Sequence, residues 1–153
     1  MNGELHHPTT IYTGDFCHAL DVKKRVTVPA RWRTSEVDVF YTVPSPKGTC
    51  LRVFPPHEMS RIREEVRSSK DIPAKERSVF ERFFFSEAQH VTTDKQGRIL
   101  LPEKHCTHCN LKEEVMLIGA DSKFEIWNPE LWRATLVDSE PVYGAVSERI
   151  GLD

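Results

Sequence analysis

Apolar and polar residues trade places along this chain with two periods, and the switch from one to the other recurs. Val26 and Val28 alternate with Thr27, the period of a half-buried strand, and Pro29 then stands where a helix opens and its missing N–H is not needed. Val37 to Val43 and Leu51 to Phe54 predict a hairpin, with Pro44-Ser45-Pro46-Lys47-Gly48 supplying the turn. From Pro56 to Ser68 the period lengthens, and Met59, Ile62 and Val66 predict one apolar stripe on a helix. A second helix is predicted from Pro73 to about Phe85, with Val79, Phe80, Phe83 and Phe84 forming a wide apolar face. Val115 to Ile118 and Phe124 to Trp127 predict another hairpin around Gly119-Ala120-Asp121-Ser122, and Asn128-Pro129 opens a last helix. From Asp138 onward the pattern is too polar to place an element.

The recurrence is a repeat. Asp21-Val22-Lys23-Lys24-Arg25-Val26-Thr27-Val28-Pro29 lines up with Asp94-Lys95-Gln96-Gly97-Arg98-Ile99-Leu100-Leu101-Pro102 at an offset of 73 residues, and the same offset pairs Leu51 to Pro56 with Phe124 to Pro129. Each copy reads as strand, tight turn, strand, short helix, strand, strand, helix. One copy holds too few short strands to close a sheet on itself, so the two are expected to pair into a small barrel. The expected organisation is an N-terminal extension over 1–11, a first module over 12–70, a linking helix over 71–88, a second module over 89–136 and a tail over 137–153.

The repeated feature that is not plain core is D-x-x-x-R. Asp21 and Asp94 can accept hydrogen bonds from the turns that follow them, and Gly97 can take a positive φ, so these three residues are read as holding the loops. The loops then present Lys23, Lys24 and Arg25 from one copy and Lys95 and Arg98 from the other. Arginine suits phosphate and the guanine edge because its planar fork makes two parallel hydrogen bonds. An Asp–Arg pair that merely braces a turn is the plain alternative. Duplication argues against it, as does the crowding of Lys23, Lys24, Arg25, Arg31 and Arg33, which also favours Arg25 over Arg98 for the larger phosphate share.

Composition changes the picture in one respect. With 153 residues, 39% hydrophobic and 29% charged, the chain is an ordinary globular one. It has neither a run of about 20 apolar residues nor a basic, apolar leader, which predicts a cytoplasmic protein with no membrane partner. A net charge of −2 is unexpected for a nucleic-acid binder. Residues 1–112, however, carry 18 Lys and Arg against 14 Asp and Glu, a balance of +4, while residues 113–153 carry 3 against 9, a balance of −6. Distribution rather than total steers a polyanion. Cys17, Cys50, Cys106 and Cys109 spell out no disulfide framework and are read as reduced thiols. His105, Cys106, His108 and Cys109 are four potential zinc ligands, but neighbours this close on one helix point apart, so no metal site is assigned. No nucleophile elbow, phosphate-binding loop, zinc-protease helix or dinucleotide fingerprint is present, so no catalytic residue and no cofactor are expected.

The run from Tyr12-Thr13-Gly14-Asp15-Phe16 through Asp21, Arg25 and Pro29 to Arg33 strongly resembles the start of MraZ proteins. Asp94 to Pro102, Glu114 to Gly119 and Phe124 to Trp127 resemble their second half, so the likeness covers roughly residues 12 to 135. It implies an α+β, mainly β fold, a double-split β-barrel of two SpoVT-AbrB-like modules with short helices, assembled as a homo-oligomeric ring. It further implies a transcriptional regulator, cytoplasmic and nucleoid-associated, whose loops bind double-stranded DNA at repeated boxes upstream of the division and cell wall gene cluster. Arg25 and Arg98, with Lys23 and Lys95, would then touch DNA, and Asp21 and Asp94 would hold the loops. The chain departs from the family at Lys24, where the turn commonly has glycine, in the first eleven residues with His6 and His7, and at His105 to Cys109. A protein-interaction module using the same basic loops is the rival reading.

Overall fold

The computed structural model describes residues 11–34 and 37–153; except for Ile11, the N-terminal extension expected over 1–11 lies outside them. The first copy contributes β1 (Asp15–Ala19), β2 (Arg25–Thr27), a single helical turn at Ala30–Trp32, β3 (Val39–Pro44), β4 (Leu51–Phe54) and α1 (Pro56–Ser68). After α2 (Ala74–Glu87), the second contributes β5 (Gln89–Thr92), β6 (Arg98–Leu100), α3 (Glu103–His108), β7 (Glu114–Ala120), β8 (Lys123–Trp127) and α4 (Pro129–Arg149). The element order is the one the alternation and the repeat predict.

Pairing between the copies is reciprocal. The six-stranded antiparallel sheet runs β1-β7-β8-β4-β3-β5, so the first strand of each copy pairs with the hairpin of the other, and β4 and β8 meet in the middle. β2 and β6 form a separate two-stranded ribbon, with Val26 opposite Ile99. Each copy exposes an edge that only its sibling can cover, which is why neither forms a complete sheet alone. The described ladders make this sheet and ribbon and do not close into one hydrogen-bonded barrel.

Alternation along the strands turns Phe40, Leu51, Val53, Leu117, Phe124 and Ile126 to one face, where they pack with Val26 and Ile99 of the ribbon. Trp32 and Tyr12 join this core, both 1% exposed, and Trp32 lies 4.8 Å from Phe124 between ring centres. A smaller cluster under the helices joins Val43 and Phe54 to Met59 and Phe84. A third sets Cys50, Ile118 and Trp127 against Trp132 of α4.

Two further differences from what the sequence predicts have physical causes. The chain beyond Asp138 is helical to Arg149, because Asn128 caps α4 by accepting hydrogen bonds from the N–H groups of Glu130 (2.9 Å) and Leu131 (3.2 Å), and Pro129 presets the first turn. Pro141 is accommodated inside that helix. Of the apolar residues on α2, only Phe84 is buried; Val79, Phe80 and Phe83 remain 46%, 38% and 68% exposed, so that face is not core within one chain. The His105–Cys109 cluster is split by the helix, as its spacing predicts: His105, Cys106 and Cys109 are buried and His108 is exposed. Among the described residues no group of three or more His, Cys, Asp or Glu is disposed to hold a metal ion, and no helix is long and apolar enough to cross a membrane.

Candidate nucleic-acid interface

The two D-x-x-x-R loops have the same internal geometry. Oδ1 of Asp21 accepts from the backbone N–H of Lys23 (3.0 Å) and Arg25 (2.8 Å), and Oδ2 from Nε of Arg25 (2.7 Å). Oδ1 of Asp94 accepts from the N–H of Gln96 (2.8 Å) and Arg98 (2.9 Å), and Oδ2 from Nε of Arg98 (2.9 Å). Backbone bonds finish both turns: Lys24 N–H to the Asp21 carbonyl and Gly97 N–H to the Asp94 carbonyl, each 2.9 Å. The N–H of Arg25 and the N–H of Arg98 are the main reasons why the two carboxyls are held below the usual aspartate range. With folded values depressed, both contacts favour the native loops at pH values above about 4, and the contribution is lost as pH falls through the lower folded values.

This bonding uses one edge of each guanidinium. Nε is committed to the aspartate, while Nη1 and Nη2 of Arg25 and Arg98 have no hydrogen-bond partner among the described residues. An oriented fork with its outer donors open suits a phosphate or base-edge oxygen, because the aspartate fixes the side chain before any ligand arrives and lowers the entropy cost of binding.

The ribbon sets the spacing. The Leu101 N–H donates to the Lys24 carbonyl (2.8 Å) and the Val28 N–H to the Gly97 carbonyl (2.9 Å), so the loops stand at opposite ends of the short β2–β6 ladder. Four residues of strand place them about 13 Å apart along it. Equivalent positions do not carry equivalent charge: Lys95 corresponds to Val22, which is 96% exposed, and Lys23 corresponds to Gln96.

Both turns need a left-handed residue, supplied by Lys24 at φ 68° and by Gly97 at φ 77°. The glycine has a second reason. Nη1, Cζ and Cδ of Arg33 fill the space that a Cβ on residue 97 would occupy. Arg33 reaches the second loop because Trp32 is buried in the core and donates from Nε1 to the Thr13 carbonyl (2.9 Å), which turns its neighbours Arg31 and Arg33 outward. Arg31 goes the other way, with its guanidinium 4.9 Å from the centre of the Phe16 ring. Of the five cations crowded along the first copy, Arg33 thus belongs spatially to the second loop. Counting along the chain could not assign it there, since the approach depends on β2 pairing with β6.

A duplicated, strand-exchanged α+β chain with one braced basic turn per copy defines the class: a paired-module protein with two equivalent cationic loops on one ribbon. Residues 84–149 match the family described as "MraZ protein, putative antitoxin-like". The chain is 37% identical to the transcriptional regulator MraZ of Heliobacterium modesticaldum over 140 residues, covering 92% of this chain and 96% of that protein. Identity to the transcriptional regulator MraZ of Pediococcus pentosaceus is 34% over 140 residues, again 92% and 96% of the two chains. With that of Halothermothrix orenii it is 33% over 147 residues, 93% of this chain and all (100%) of the relative. The chain belongs to the MraZ family.

Proposed function

We propose that this protein is a transcriptional regulator that binds double-stranded DNA through its two D-x-x-x-R loops, with Lys23, Lys24 and Arg25 from one and Lys95 and Arg98 from the other, while Asp21, Asp94 and Gly97 hold the turns. The observation that carries this reading is the repeated geometry in which an aspartate grips Nε of an arginine and leaves its outer donors open. A brace for one turn has no reason to be duplicated with its free edge outward. The spacing adds support, since about 13 Å of ribbon is comparable with the roughly 12 Å width of a major groove. The exchanged strands suit a double-split barrel in which modules 12–70 and 89–136 complete each other, joined by 71–88.

The protein acts as a homo-oligomeric ring in this reading. The α2 face with Phe80 and Phe83, and the α4 face with Val142, Tyr143 and Val146, are exposed in one chain and distinct from each other, so a second copy that covers one with the other makes a head-to-tail contact. Repeating that contact closes a ring and aligns many loops, which gains affinity on DNA carrying repeated boxes. The family's likeness points to boxes upstream of the division and cell wall gene cluster, and to a cytoplasmic, nucleoid-associated protein.

Fluorescence anisotropy with the native upstream duplex and a scrambled one, across a salt series, tests the proposal. Tight, salt-sensitive preference for the native duplex, weakened by Arg25→Ala and by Arg98→Ala, is expected. Equal weak binding to both duplexes refutes it and favours a module that uses the loops on an acidic protein.

A further inference from the structure

The repeat compares two solutions to one problem. At an offset of 73, Lys24 corresponds to Gly97 and Arg33 to Cys106. In the second loop the turn residue has no side chain, and the guanidinium of Arg33 lies in the space this leaves. In the first loop the turn residue carries a side chain, and the residue equivalent to Arg33 is the small Cys106 on α3, 2% exposed. The Lys24 carbonyl accepts from the Leu101 N–H (2.8 Å), which sets this turn beside the chain that leads into α3; burial raises the Cys106 thiol's pKa, and the Lys24 ammonium partly opposes that push. The two pairs are reciprocal: side chain with thiol, bare backbone with arginine.

Each turn thus has one cation of its own: Lys24 within the first and Arg33 against Gly97 of the second. Arg33 is exposed, and its guanidinium has no hydrogen-bond or ion-pair partner among the described residues. A residue whose task was only to pack over the glycine would not need unpaired donors facing water.

We infer that Arg33, delivered from the first module, is the third DNA-phosphate-binding cation of the second loop, standing there in place of the lysine that the first loop carries in its own turn. Loop one then presents Lys23, Lys24 and Arg25, and loop two presents Lys95, Arg98 and Arg33. The second binding unit is therefore composite, incomplete without Arg33 of the other module, whereas the first is built from its own module alone.

The inference rests on the DNA reading, and the experiment separates the two. Binding of the full chain to its upstream duplex is measured over a salt series for wild type, Arg25→Ala, Arg33→Gln, Arg33→Lys and the double variant Arg33→Ala with Gly97→Lys, with thermal melting of each. Arg33→Gln is expected to reduce the slope of log affinity against log salt by about 0.9, the value for one neutralised phosphate. Arg33→Lys is expected to keep the slope, and the double variant, which copies the first loop's solution into the second, to restore it. An unchanged slope for Arg33→Gln, beside a reduced one for Arg25→Ala, overturns the inference and leaves the DNA reading standing. Wild type without salt-dependent binding overturns both.

Discussion

Lys24 is where stability and binding should pull apart. Its φ of 68° lies in the left-handed region, where a side chain's Cβ crowds the following carbonyl oxygen. That conformation costs a non-glycine residue about 1–2 kcal/mol, against which a glycine adds roughly 0.5–1 kcal/mol of unfolded-state entropy. Lys24→Gly is therefore expected to stabilise the fold by up to about 1.5 kcal/mol, or to raise Tm by up to roughly 6 °C for a chain of this size. The turn itself survives, since its bonds come from the backbone and from Asp21. DNA binding should move the other way. Loss of one phosphate contact reduces the salt slope by about 0.9, so a fourfold rise in salt should weaken the variant about 3.5-fold less than wild type. Denaturant unfolding, thermal melting and anisotropy at two salt concentrations read all three quantities. A variant with a lower Tm refutes the strain argument; one with an unchanged slope removes Lys24 from the DNA surface.

Trp32→Ala should cost about 3–5 kcal/mol in urea unfolding, as expected for a large buried aromatic, because the ring packs against Phe124 and Phe16 and its Nε1 holds the Thr13 carbonyl; a loss below 1 kcal/mol would deny it the anchoring role. His105 is 1% exposed, its Nδ1 lies 3.0 Å from Oγ1 of Thr42, and its Nε2 has no hydrogen-bond partner among the described residues. Burial holds its pKa below the ordinary value, so the unfolded chain takes up a proton first as pH falls below about 6.5 and stability should decline until the lower folded pKa is passed. His105→Leu should flatten that part of the stability profile; an unaltered profile refutes the burial argument.

The loops themselves were legible in the sequence because they are local. An aspartate, a turn and an arginine four residues on make their contacts within one short segment, so spacing alone was enough to identify Asp21, Arg25, Asp94 and Arg98. The repeat likewise exposed the element order, since alternation and turn residues are read one segment at a time. Arg33 stands among the cations of the first copy in the sequence, but spacing cannot place it, because its neighbour in space is Gly97, brought to it by an antiparallel ribbon between the copies.

What the sequence by itself determined is the duplicated unit, the helix and strand periods, and the braced basic turns, all of which depend on contacts a few residues long. The tertiary structure decided the rest: that first strands are exchanged, that the α2 phenylalanines stay largely outside the core, and that His105 and Cys106 are drawn inward while His108 is not. Those outcomes follow from which surfaces meet. Burial and edge pairing are set by partners far away in the chain, and a local pattern gives the face a side chain takes without saying what will cover it.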